Sequence, residues 1–237
     1  MPKIKEISRR IKSISSTKKI TKAMEVVSAA KMRKAVDSVL KSRAYASLSW
    51  ETVLHLATLE KSRSESQHPL LRPRRKVKRV AIIMIASNRG MCGSYNSALF
   101  AKVKASIVRH PLPTDIIVAG RKGGAIRNQG LEVVAEFPKS DILTGVGEIR
   151  PIVKMAMSDF ASGKYDKILV AYTDFVNPAV QIPRVKQLVP VEIEARDGLL
   201  GSATGSLEPL SKAAITEMIE KRLAGGDYVF EPNPRAV

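Results

Sequence analysis

Acidic residues are scarce: 22 Asp and Glu stand against 40 Lys and Arg, a formal net charge of +18 over 237 residues. A surplus of that size calls for acidic company. Cysteine is limited to Cys92, which excludes an internal disulfide and agrees with a reducing compartment. Of the three histidines, His68 and His110 each precede proline and His55 lies in a helical stretch, so no metal-ligand spacing arises. Long apolar runs are missing as well. The longest, Val80 to Ala86, has seven residues, too few to span a membrane. The basic N-terminus lacks the apolar core of a signal peptide and runs directly into a periodic pattern, so it is expected to be mature structure. Between Pro2 and Pro69 there is neither proline nor glycine, and nothing in the covalent chemistry obliges the backbone to stop.

What fills that stretch is helical. Ile4, Ile7, Ile11 and Ile14 recur at alternating spacings of three and four, one stripe on a helix but both faces of a strand. A helix from Lys3 to Glu60 is roughly 85 Å long at 1.5 Å per residue, more than a compact domain buries, so it is expected to protrude. The same spacing continues through Thr17, Thr21, Met24, Ser28, Lys31 and Ala35, where the seam turns from large residues to small. Small seam residues let another backbone approach, and a helical partner is expected. From Met1 to Arg43 there are thirteen Lys and Arg against Glu6, Glu25 and Asp37, which places +10 of the total charge here. Lys18, Lys19 and Lys22 are like-charged neighbours, with Lys18 and Lys22 one turn apart. A solvated basic face is the plainer alternative.

The remainder predicts an α/β domain. Residues 1–68 are expected to be the long basic helix and 69–79 a basic linker, in which six of the eight residues from Arg72 to Arg79 are basic. Such a cluster suits nucleic acid or acidic lipid. Without interleaved aromatics to stack on bases, it reads better as a gatekeeper before an apolar strand. Residues 80–193 are expected to form a Rossmann-like domain with a mostly parallel sheet. Val80 to Ala86 is a strand buried on both faces, Tyr95 to Val108 a helix with Leu99, Val103 and Ile107 inward, and Ile116 to Ala119 a strand. A short helical segment follows and closes near Gly130, then Leu131 to Phe137 alternates as a strand. Thr144 to Ser162 predicts a helix with Ile149, Val153, Ala156 and Phe160 inward and Pro151 in its first turn, Lys167 to Thr173 another buried strand, and Gln181 to Val191 an edge strand. Residues 194–237 are expected to hold a flexible connection, a helix from Pro209 to Leu223 and a proline-broken tail.

Catalytic and cofactor chemistry finds no purchase. The loops Ser87 to Gly93 and Gly120 to Gly124 sit where a doubly wound sheet binds phosphates, but the first lacks G-x-G-x-x-G spacing and the second lacks the Lys-Ser/Thr of a P-loop. Cys92 has no histidine nearby in sequence and reads as a small packed residue. Asp141, Glu148 and Asp159 show no pairing for acid–base work. No catalytic residue, cofactor or metal is expected.

Four stretches in order carry a family resemblance. Arg10-Ile11-Lys12-Ser13 with Lys19-Ile20-Thr21-Lys22-Ala23-Met24 and Ala29-Ala30-Lys31-Met32-Arg33-Lys34-Ala35 is similar to the N-terminal helix signature of the gamma subunits of F-type ATP synthases. Ser87-Asn88-Arg89-Gly90-Met91-Cys92-Gly93 resembles that family's S-D-R-G-L-C-G, with Asn88 in place of its aspartate. Gly120-Arg121-Lys122-Gly123 resembles its G-R-K-G, and Asp227-Tyr228-Val229-Phe230-Glu231-Pro232 a segment just before its C-terminal helix. The resemblance implies a non-catalytic central rotor shaft. It would turn inside the ring of alternating alpha and beta subunits, attach below to epsilon and the membrane rotor ring, and couple ion-driven rotation to ATP synthesis or hydrolysis. It further implies that Lys18, Lys19, Lys22 and Met24 meet acidic levers of the beta subunits, and that the membrane is reached only through the complex, at the cytoplasmic side of a bacterial inner membrane. The family's long C-terminal helix has no counterpart before Val237, so half of the shaft is expected to be missing from this sequence. The alternative is a basic nucleic-acid-binding protein with a Rossmann-like domain, and a third reading is a nucleotide-dependent enzyme.

Overall fold

The proline- and glycine-free stretch is a single helix, α1, Ile4–Ser62, in the computed structural model, which describes residues 4–62, 68–72, 74, 76–140 and 145–191. Each acid of its basic N-terminal portion is used inside the helix: Glu6 pairs with Arg10 at 2.8 Å, Glu25 with Lys22 at 3.0 Å and Asp37 with Lys41 at 2.8 Å. Such pairs one turn apart favour the exposed helix over coil. Chain contacts divide the molecule into two units, Met1–Ser47 and Leu48–Val237. In the first unit every residue from Ile4 to Ser28 is exposed, including the isoleucine stripe.

The second unit is built on a five-stranded sheet in the order β3-β2-β1-β4-β5. Its strands are β1 Val80–Ile85, β2 Thr114–Ala119, β3 Val133–Phe137, β4 Lys167–Phe175 and β5 Gln181–Val189. The first four run parallel and β5 returns antiparallel along β4. Central β1 is apolar throughout because parallel neighbours flank it and helices cover both faces. On one face Ile82, Met84, Ile116 and Val118 pack with Leu99, Phe100 and Val103 of α2 (Tyr95–Arg109) and with Ile126 of a 3₁₀ segment, Arg121–Gln129. On the other, Ala81, Ile83, Ile117 and Ile168 pack with Ile152, Ala156 and Phe160 of α3 (Arg150–Ala161) and with Tyr165. The result is a doubly wound Rossmann-like domain preceded by a long helix. A third cluster joins Trp50, Val53, Leu54 and Ala57 at the C-terminal part of α1 to Leu71 and Val191.

Several details differ from the periodicity. The segment before α3 is a separate 3₁₀ turn, Val146–Glu148, and α3 itself starts at Arg150. Its inward residues are Ile152, Ala156 and Phe160, whereas Ile149 and Val153 are exposed. Ala156 and Phe160 are inward as expected; Ile149 precedes the helix, and Ile152 takes the inner place in its first turn while Val153 lies beside it toward solvent. In β4 only Ile168 and Ala171 are fully buried, because it lies next to the edge rather than at the centre. Pro183 lies on the edge strand β5, where a missing N–H is tolerated. The connection, helix and tail expected after residue 194 lie outside the described residues.

Candidate functional site

Lys18, Lys19, Lys22 and Met24 all lie exposed on α1. At about 100° per residue the three lysines share an arc of ~100°, while Met24 stands roughly 120–160° around the axis from each of them. The lysines form one patch and Met24 belongs to another side, with Ile20 and Val27. Lys22 is held by Glu25, both carboxylate oxygens lying 3.0 Å from its Nζ. Among the described residues Lys18 and Lys19 make no ion pair.

The two glycine-bearing loops, far apart in sequence, are sewn together at the C-terminal ends of β1 and β2. The Ala86 N–H donates to the Ala119 carbonyl (2.8 Å) and the Lys122 N–H to the Ser87 carbonyl (2.9 Å). Asn96, in the first turn of α2, accepts from the Ser87 N–H (3.1 Å) and donates to its hydroxyl (2.7 Å). Gly120 has φ +107°, and a Cβ there would meet the Ala86 carbonyl oxygen at 2.4 Å, so only glycine fits. At Gly123 a Cβ would fall 2.4 Å from Val118 Cγ1. Gly93 (φ +57°) and Met91 (φ +56°) turn the first loop through left-handed backbone, while Gly90 has open space and an ordinary φ. Asn88 donates to the Lys139 carbonyl, a bond that the aspartate of the resembled signature has no hydrogen to make.

These bonds bear on phosphate binding. The N–H groups of Ser87, Tyr95, Lys122 and Gly123, which a phosphate at this crevice would need, are already given to Asn96, Cys92, Ser87 and Gly120 respectively. A phosphate would have to displace them. Arg89, Gly90, Cys92, Arg121 and Lys122 face solvent above this seam, with Gly93 between them and Gly123 buried beneath. Cys92 is therefore exposed and not packed as expected, because Met91 and Gly93 lift the loop tip away from the sheet. Its sulfur lies 3.4 Å from Asn96 Nδ2.

At the opposite end of the sheet is a cluster that the sequence pattern did not single out. Asp115, almost fully buried in β2, takes an ion pair from Arg79 (2.9 Å to Oδ2) and a hydrogen bond from the Tyr165 hydroxyl (2.7 Å). The Tyr165 phenol is pushed up to about 12, mainly by burial and then by its bond to Asp115. The same carboxylate holds the Arg79 guanidinium further above its ordinary range. One signal was available: an acid inside an otherwise apolar strand, since Thr114–Ala119 reads TDIIVA. Part of the basic linker is thereby explained as structure. Arg74 donates to the Phe160 carbonyl (3.2 Å) and lies 5.5 Å from the ring centroid, so Arg74 and Arg79 are committed to the domain.

No helix of the described residues is long and apolar enough to cross a membrane. Asp159 is paired with Lys164 (2.8 Å) and Glu148 accepts from the Ser140 N–H (3.3 Å).

Comparison with known proteins agrees with this architecture. A family model described as ATP synthase matches residues 3–235. The ATP synthase gamma chain of Pelotomaculum thermopropionicum is 33% identical over 229 residues, covering 96% of this chain and 79% of that one. That of Dehalococcoides mccartyi is 39% identical over 192 residues, covering 81% and 67%. Among solved structures, the central stalk and c-ring of the Tetrahymena thermophila mitochondrial ATP synthase contains a chain of the same fold, with TM-score 0.55, 21% identity and 72% of each chain covered. The chain belongs to the ATP synthase gamma chain family.

Proposed function

We propose that this chain is the rotor subunit of the central stalk, a non-catalytic shaft that couples ion-driven rotation of a membrane ring to ATP synthesis or hydrolysis in the alpha–beta hexamer. The observation that carries the reading is α1: 59 residues of uninterrupted helix with an exposed apolar stripe and a basic surplus, in a chain of the gamma family. A helix of this length and charge suits an acidic, helix-lined bore. Its uncovered stripe calls for a second helix, whichever polypeptide supplies it.

On this reading Lys18, Lys19, Lys22 and Met24 all lie in the zone where the shaft meets acidic segments of the beta subunits, the lysines on one side of α1 and Met24 on another. An asymmetric shaft then presents a different surface to each beta subunit as it turns, and nucleotide affinity becomes a function of angle, a coupling free energy between distant sites. The α/β domain takes the lower contacts, to epsilon and the membrane ring, so the chain is peripheral at the cytoplasmic face of a bacterial inner membrane.

Copurification with alpha and beta subunits tests this directly. Expected is a stable complex whose ATPase activity depends on the chain. If a version supplied with the second helix leaves both hexamer assembly and ATPase activity unchanged, the reading fails.

A further inference from the structure

A shaft that passes torque to its base must not swivel on the connection between them, and residues 68–79 are that connection. Its described residues are pinned at successive points. The Val191 N–H donates to the Leu70 carbonyl (3.1 Å), Leu70 packs in the α3-side core, and Leu71 packs in the cluster with Trp50, Val53 and Leu54 of α1. Arg74 lies over Phe160. Asp166 Oδ2 then accepts from the Lys78 N–H (2.7 Å) and the Arg79 N–H (3.2 Å), while the Asp166 N–H donates to the Arg79 carbonyl (2.9 Å). The last anchor is Arg79 on the buried Asp115–Tyr165 pair, which β2 and the segment before β4 hold from beneath.

The placement is unusual for a surface ion pair. Asp115 is only 3% exposed and Tyr165 0%, so the half-exposed Arg79 of the connection closes over a buried carboxylate of the sheet. Burying an acid is costly unless it is paired and hydrogen-bonded, and replacing the ion pair by apolar residues is often neutral or better for stability. A role in holding one geometry explains why a carboxylate stands there.

We infer that the Arg79–Asp115–Tyr165 cluster is a torsional clamp, whose closure keeps the connection, and with it the Trp50 end of α1, seated on the α/β domain. The inference rests on the rotor reading for its purpose, but its structural content can be tested on the chain alone. Trp50 is the only tryptophan and lies half-buried in the cluster with Leu71 and Val191, so its fluorescence reports the seating.

The experiment compares iodide quenching of Trp50 in the unaltered chain, Asp115→Asn and Arg79→Gln, under conditions where circular dichroism shows the sheet folded. Opening of the clamp raises the quenching constant about twofold or more, the behaviour of a local opening below global unfolding. Amide exchange at Val191, whose partner is Leu70, accelerates in step. If Asp115→Asn does not fold, Arg79→Gln and Tyr165→Phe carry the test, since neither removes the carboxylate. A folded variant with Trp50 and Val191 as protected as before overturns the clamp, because a merely stabilising cluster leaves both shielded until the whole domain unfolds. That result leaves the rotor reading standing, which fails instead if the chain does not join alpha and beta subunits.

Discussion

Isoleucine behaves oppositely in the two units. Ile4, Ile7, Ile11, Ile14 and Ile20 on α1 are 44–87% exposed, whereas Ile82, Ile83, Ile116, Ile117, Ile126 and Ile168 in the second unit are 0–7% exposed. The residue is the same, so hydropathy cannot be the difference. A strand of the sheet has neighbours on both sides and helices on both faces, while the stripe of α1 has nothing laid over it in this structure. One unit holds its own apolar surface out of water, and the other leaves that surface exposed. At about 25 cal/mol per Å² of apolar area, each covered isoleucine contributes roughly 1.5–3 kcal/mol, which the second unit gains on folding and which, on the proposed rotor reading, the first would gain on binding.

The contrast can be broken in several ways. Ile82→Ala should cost about 2–5 kcal/mol of folding stability by urea titration, since it opens a cavity in a packed core, whereas Ile11→Ala should change the isolated chain by less than about 0.5 kcal/mol. If Ile11→Ala were as costly as Ile82→Ala in the chain alone, the stripe would already be covered in solution and the division between the units would be wrong.

Next in size is the seam between the signature loops. Gly120→Ala should destabilise the domain by about 1–3 kcal/mol or more, from the positive φ and the clash with the Ala86 carbonyl, while Gly90→Ala, in open space, should lie within about 0.5 kcal/mol of the parent. Equal effects at the two glycines would show that the loops are not joined as described.

Alkali separates the units in another way. Because the folded-state value of Tyr165 is raised to about 12, the protonated phenol is favoured by folding. Its contribution is fully present below the ordinary tyrosine value of about 10 and is lost as pH rises toward 12. Stability of the α/β domain should fall across that window, and the corresponding late phenolate absorbance should vanish in Tyr165→Phe. The smallest effect belongs to α1. Lys22→Ala removes an exposed pair with Glu25 and should cost no more than a few tenths of a kcal/mol in helix melting, and less at high salt.

Much of the fold was legible because it depends on local periods. The spacing of Ile4, Ile7, Ile11 and Ile14, the apolar run from Val80 and the glycine at 130 each specify an element through sterics or face-burial over a few residues. Edges of elements were harder. Ala156 and Phe160 point inward as the stripe implies, but the turn at Val146–Glu148 leaves Ile149 outside α3, and Ile152 rather than Val153 fills the inner face of its first turn. Cys92 was misplaced for a similar reason, since the exposure of a loop tip depends on backbone dihedrals at Met91 and Gly93. The resemblance groups Lys18, Lys19, Lys22 and Met24 together, and helix geometry adds that Met24 lies on a different side of α1 from the lysines.

By itself the sequence determined that a long basic helix precedes a doubly wound sheet, because hydrophobic period and backbone permission act along the chain, while the resemblance of its ordered signatures pointed to the gamma chains. Only the tertiary structure decided what the isolated polar residues do. Asp115, Arg79 and Tyr165 stand 36 and 50 residues apart from one another, so no local pattern could pair them. Burial made the pairing compulsory, since a carboxylate removed from water must find a cation or a donor, and here it found both at the point where the long helix's connection meets the sheet.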